Sequence, residues 1–211
     1  ADPNRYADNG SLDSNGLTNA ERMERGLRRL PVLSIVMKNN DMFGTGGLYP
    51  TSTSANKADN TKACSLEMFS ADGTTIFSSN AGIDNHGNAS RDPFKNPKHG
   101  YTIRFKGRYG NGRLKAKLFP DSPVEEWDKF VLRGDYGFSW LHSDGTLQRP
   151  RGIRIRDVFC KDAFRDMSRM AGHTRIVNVL INGVYWGTFD ITEDEAQDFG
   201  ASYFGGDKNF Y

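Results

Sequence analysis

Alternation of apolar and polar positions runs through much of this chain and predicts strands in several places. VLSIVM (32–37) is a β-branched apolar run, and CSLEMFS (64–70) turns Cys64, Leu66 and Met68 one way and Ser65 and Glu67 the other. ADGTTIFSSNAGI sets an Asp-Gly turn ahead of another strand, and YTIRFKGRYG alternates Tyr101, Ile103 and Phe105 against Thr102, Arg104 and Lys106. KFVLRG (129–134) adds a further strand, and RIVNVLINGVYWGTFDIT places Asn182-Gly183 between two apolar runs, the pattern of a tight hairpin. An antiparallel sheet with one solvated face is the expectation.

Helical periodicity appears twice. Thr18 with Glu21 three residues on forms a capping-box pattern, which predicts a short helix to about Leu30, stopped by Pro31. From Ile153 to Met170, the side chains of Ile155, Phe159, Ala163, Met167 and Met170 make one apolar stripe, expected to pack on the core, with Gly172 placed to end the helix. The expected fold class is therefore α+β, a mainly antiparallel sheet with one main helix. Residues 1–29 read as a polar lead-in carrying the short helix, with turn-formers throughout 1–19, and residues 30–211 as the domain itself. TSTSANKADN is of low complexity, and the glycines of FGTGGLYP fit neither nucleotide-loop spacing, so they read as turns.

Composition narrows the classes. At 211 residues, 36% hydrophobic and 12% aromatic, the chain has the make-up of one globular domain. No stretch reaches the ~18 to 20 apolar residues of a membrane span. The net charge of +2 conceals segregation: residues 91–117 carry nine Lys and Arg against Asp92 alone, and residues 190–211 carry six acids against Lys208. A near-zero net charge disfavours nucleic acid as a partner, while a local basic patch still suits a phosphate group. Cys64 and Cys160 are far apart and read as two buried thiols in preference to a single disulfide; His86, His99, His142 and His173 are scattered and make no metal-ligand pattern.

Candidate chemistry centres on HGNASRDPFKNPKHGYTIRFKGRYG. Arg91, Lys98, Arg104 and Lys106 on a sheet face suit phosphate oxygens, and the competing reading is a strand edge kept soluble by its charges. The carboxylates of DITEDEAQDFG (Asp190, Glu193, Asp194, Glu195, Asp198) read as a solvated acidic surface, and no nucleophile elbow is present.

The segments LPVLSIVMKNNDMFGTGGLYP, AGIDNHGNASRDPFKNPKHGYTIRFKGRYG, FVLRG, IRDVFCKDAFRDMSRMAG, VNVLINGVYWGTFDITE and ASYFGGDK, in that order from about Leu30 to Tyr211, resemble the spore-coat CotH kinase family, particularly its large secreted bacterial members. The resemblance implies the N-lobe portion of an atypical protein-kinase-like fold. It also implies ATP and a divalent metal (Mg or Mn) as cofactors, and secreted or coat proteins as phosphate acceptors in an extracellular or cell-surface setting. His86, Ser90 and Arg91 match the family's loop motif, Lys98 or Arg104 would clamp the phosphates, and Glu193 matches the glutamate after the last hairpin strand, giving Arg91, Lys98, Arg104 and Glu193 as the cofactor-binding set. Asp84 and Asp194 depart from the residue types common at those positions. The family's catalytic and metal-binding aspartates would follow Tyr211, so no catalytic or metal residue is assigned in this chain, which is expected to be inactive alone and to self-associate or pair with a missing C-terminal half. The rival expectation is a non-catalytic extracellular binding or structural module built on the same scaffold, its exposed aromatic and basic surface contacting another protein chain or a glycan.

Overall fold

The computed structural model describes residues 14–50, 60–92 and 94–210; the start of the polar lead-in (1–13) and nearly all of the low-complexity stretch (51–59) lie outside them. The first helix, α1 (Asn19–Leu27), opens on the expected capping box: the Glu21 N–H donates to Thr18 Oγ1 at 3.2 Å and the Thr18 N–H donates to the Glu21 carboxylate at 2.8 Å. Strand β1 (Val32–Val36) follows, then a short helix α2 (Asn39–Phe43) and the hairpin strands β2 (Lys62–Phe69) and β3 (Thr75–His86). Next come β4 (Gly100–Arg104), the two-residue strands β5 (Leu114–Lys115) and β6 (Glu126–Trp127), and β7 (Lys129–Arg133). The chain continues through α3 (Arg156–Asp166), β8 (Thr174–Ile181), β9 (Val184–Thr192) and α4 (Gln197–Phe204).

Seven strands close into a barrel in the order β1-β2-β3-β4-β7-β9-β8, with β5 and β6 paired apart from it. Closure comes from β1, which pairs antiparallel with β2 and parallel with β8, Leu33 lying between Met68 and Val179. This corrects the α+β expectation and the kinase-lobe architecture that went with it: the fold is mostly β, and a sheet joined to itself through β1 and β8 has no free edge for a main helix to cover.

The helix expected to carry the core stripe is also corrected. It spans 11 residues, none of them buried; Phe159 is 68% exposed, and Met167 at its C-cap is 69% exposed. The core lies inside the barrel, where Leu33, Ile35, Leu66, Met68, Ile83 and Ile103 are fully buried, each contributing about 1.5–3 kcal/mol. Neither is the outer face simply wet. Between the inward residues of β3, β4, β7 and β9 stand Asp84, Thr102, Val131, Asp190 and Thr192, all buried. Both cysteines are free, Cys64 buried as expected and Cys160 exposed on α3. Among the described residues no helix is long and apolar enough to cross a membrane.

Candidate functional site

A pocket of about 450 Å³ lies where β3 ends, β4 begins and β7 ends. One wall is the turn His86–Ser90, the other is the segment Arg133–Gly137, and Lys98 and Gly100 complete the lining. The turn is held by Ser90 Oγ donating to the His86 carbonyl at 3.5 Å and by His86 Nδ1 against Thr102 Oγ1 at 3.2 Å. Gly87 sits at φ +93°, where a side chain is strained, and a Cβ there would overlap the Ser90 hydroxyl. Gly134 is needed for a different reason: its Cβ would come within 2.5 Å of the Lys98 carbonyl, so only glycine lets this wall lie so close to the Lys98–His99 backbone.

The chemistry lies beneath the lining. Lys98 turns its ammonium onto β9, donating to the Thr188 carbonyl and resting 4.5 Å from the centre of the Phe189 ring. Asp190, fully buried on β9, and Asp135, at φ +55° just after β7, converge on one nitrogen of Arg154. Arg154 Nη1 reaches Asp190 Oδ2 at 2.8 Å and also pairs with Asp135 Oδ2. Burial and the neighbouring Arg154 push the Lys98 ammonium down to about 8, against the pull of Asp135 and Asp190. Burial and the Asp190 charge push the Asp135 carboxyl up to about 7, against Arg154 and Lys98. A slightly larger cavity, about 500 Å³, is lined by Phe77, Arg113, Lys115 and Glu126, but its charges are surface pairs, Arg113 with Asp128 at 2.7 Å and Lys115 with Glu126 at 3.1 Å. It offers no buried charge to a ligand, and surface pairs of this kind are worth little.

The four residues expected to bind cofactor do not converge. Lys98 lines the pocket. Arg91 is buried at the end of the 3-10 turn Ala89–Arg91, directly after the pocket wall. Arg104 lies four residues along β4 from Gly100, roughly 13 Å away at the rise of a strand, where its Nε meets Asp84 Oδ2 at 2.5 Å. Glu193, buried, accepts the His173 N–H at 3.0 Å and the Tyr203 hydroxyl at 2.9 Å, and so ties α4 to the barrel. Sequence reasoning missed Asp135 and Arg154, and it placed Asp190 in a solvated acidic loop. The available signal was Asp190's position between Phe189 and Ile191 in an apolar strand.

Among the described residues no group of three or more His, Cys, Asp or Glu is arranged to hold a metal ion, and the carboxylates of Asp135, which lines the pocket, and Asp190 beneath it are engaged by Arg154. The divalent metal implied by the resemblance therefore has no fitting ligand set among them. No protein-family model matches the chain, and no curated protein matches it.

Proposed function

We propose that this chain holds the phosphates of a nucleotide, as the ATP-binding part of a CotH-like phosphotransferase whose complete form transfers phosphate to protein hydroxyls. The observation that carries the reading is Lys98: a mostly buried ammonium beside a pocket walled by two glycine-dependent segments, one of them the HGNAS turn that bears the resemblance. An ammonium in a water-poor site is a strong partner for a phosphate oxygen, and the pocket is of a size for a phosphate tail. The reading concerns the pocket and not a kinase-like lobe. The secreted acceptor and the extracellular setting come with the resemblance alone.

The test is calorimetric titration with adenylyl imidodiphosphate. Saturable binding that weakens at least tenfold in Lys98→Met, with the fold intact by circular dichroism, supports the reading. Equal affinity in the variant, or no binding to the wild type, overturns it. Arg104→Ala is expected to bind within about threefold of wild type, because its guanidinium is committed to Asp84.

One observation favours the rival, a non-catalytic binding module: apolar side chains of α3 and of the segment that follows it, Phe159, Met167 and Met170, are exposed. Partner binding unaffected by Lys98→Met would support that reading.

A further inference from the structure

Two cations and two anions share the buried cluster, Lys98 and Arg154 against Asp135 and Asp190. With all four ionised the cluster is neutral, so a phosphate approaching Lys98 also approaches two carboxylates. In a site of low dielectric that repulsion is large unless a carboxylate sheds its charge, and its one way to do so is to take a proton. The geometry has a place for that proton. Asp135 Oδ2 and Asp190 Oδ2 both lie on the one nitrogen Arg154 Nη1, and the buried Asp190 Oδ1 has no hydrogen-bond partner. A proton shared between two close carboxyl groups is the arrangement expected when both cannot ionise together. The charged and titratable groups facing Asp135 are Arg154 from the segment before α3, Asp190 from β9 and Lys98 from the approach to β4. At the pocket rim stand His86 and Arg133, the latter paired with Asp157 of α3 at 3.0 Å.

We propose that phosphate binding in this pocket is coupled to uptake of a proton by the Asp135–Asp190 carboxyl pair, so that the site accepts a phosphate together with a proton and not the bare anion. The inference rests on the phosphate-site reading above and adds the chemical form in which the ligand is held. It agrees in direction with burial and the Asp190 charge, which push the Asp135 carboxyl up to about 7, a shift that an arriving anion extends.

Titration with adenylyl imidodiphosphate at pH 7, in two buffers of different ionisation enthalpy, gives the protons taken up per ligand bound. Lys98 and the ligand itself also exchange protons, so the quantity read is wild type minus Asp135→Asn. Asparagine keeps the shape and tolerates the left-handed backbone. The expected difference is about half a proton at pH 7, since a group at its pKa is half ionised. Wild-type affinity is expected to fall roughly tenfold more than that of Asp135→Asn between pH 6.5 and 8.5. Asp190→Asn serves as the second variant, and the wild-type pH profile requires neither. Binding with equal uptake and equal pH dependence in wild type and variants overturns the proton coupling and leaves the phosphate site standing. Absence of wild-type binding at every pH overturns the site itself, and the coupling with it.

Discussion

Arg154 Nη1 lies 2.8 Å from Asp190 Oδ2, which fastens the segment ahead of α3 to the outside of a barrel strand. The carboxylate is fully buried and Arg154 is mostly so. A buried pair of this kind adds little net stability over an apolar pair of the same shape, but losing one member leaves the other charge stranded.

Asp190→Ala is therefore expected to cost about 3–5 kcal/mol, measured by urea denaturation, because it strands Arg154 beside Lys98 with only Asp135 left to balance them. Asp190→Asn, which keeps the shape, is expected to cost less. A loss below about 0.5 kcal/mol in Asp190→Ala, the range of an ordinary surface change, would show that the cluster does not hold this segment.

Asp135 and His99 give the stability a pH dependence with opposite signs. Asp135 titrates higher in the fold than in the unfolded chain, so its contribution is full below about pH 4 and is lost as pH rises through about 7. His99, fully buried and stacked on Tyr49 at 4.8 Å, is pushed down to about 4 by burial, so its contribution is present above about pH 6.5 and lost as pH falls through about 4. The two oppose each other in wild type between pH 4 and 6.5. The stability of Asp135→Asn minus that of wild type is thus expected to rise from pH 4 to 7, by at most about 1.4 kcal/mol per pH unit. A flat difference would place Asp135 in a wetter setting than the barrel wall provides.

Tyr203 is the hinge-pin of α4: its hydroxyl donates to the buried Glu193 carboxylate at 2.9 Å and lies 2.8 Å from His173 Nδ1. Tyr203→Phe is expected to cost about 1–3 kcal/mol, the range for leaving a buried acceptor without its donor. Amide exchange over residues 197–204 should quicken first, ahead of the barrel strands. Unchanged protection there would mean that packing of Phe199 and Tyr203 holds the helix without the hydroxyl.

Phe159 and Met167 should bind an apolar dye, since both are more than half exposed. The double variant Phe159→Ser, Met167→Gln is expected to lower dye fluorescence while changing stability by no more than about 0.5 kcal/mol per site. A large stability loss would show these side chains to be structural.

How far the fold was legible depends on where its determinants lie along the chain. Asn182-Gly183 and the Thr18 capping box were plain because their physics is local: Asn182 and Gly183 both adopt positive φ, as the turn demands. Strand positions were legible for the same reason, through alternation at period two. Barrel closure was not, because the parallel pairing of Val32 with Asn178 joins distant segments and leaves no mark in either. The α3 stripe was correctly read as apolar and wrongly read as buried, since periodicity says which side chains share a face and not what lies opposite. Lys98 was legible as a cation in a basic stretch, whereas its partners Asp135, Arg154 and Asp190 are brought to it only by the tertiary fold.

The central claim, that Lys98 receives a nucleotide phosphate, is tested most directly by reacting the protein at pH 8 with a lysine-reactive ATP acyl phosphate and mapping the modified residue by mass spectrometry. The account predicts modification at Lys98, whose lowered pKa leaves much of its amine unprotonated at that pH, and protection of that residue by excess ATP. Modification confined to exposed lysines and indifferent to ATP would contradict it.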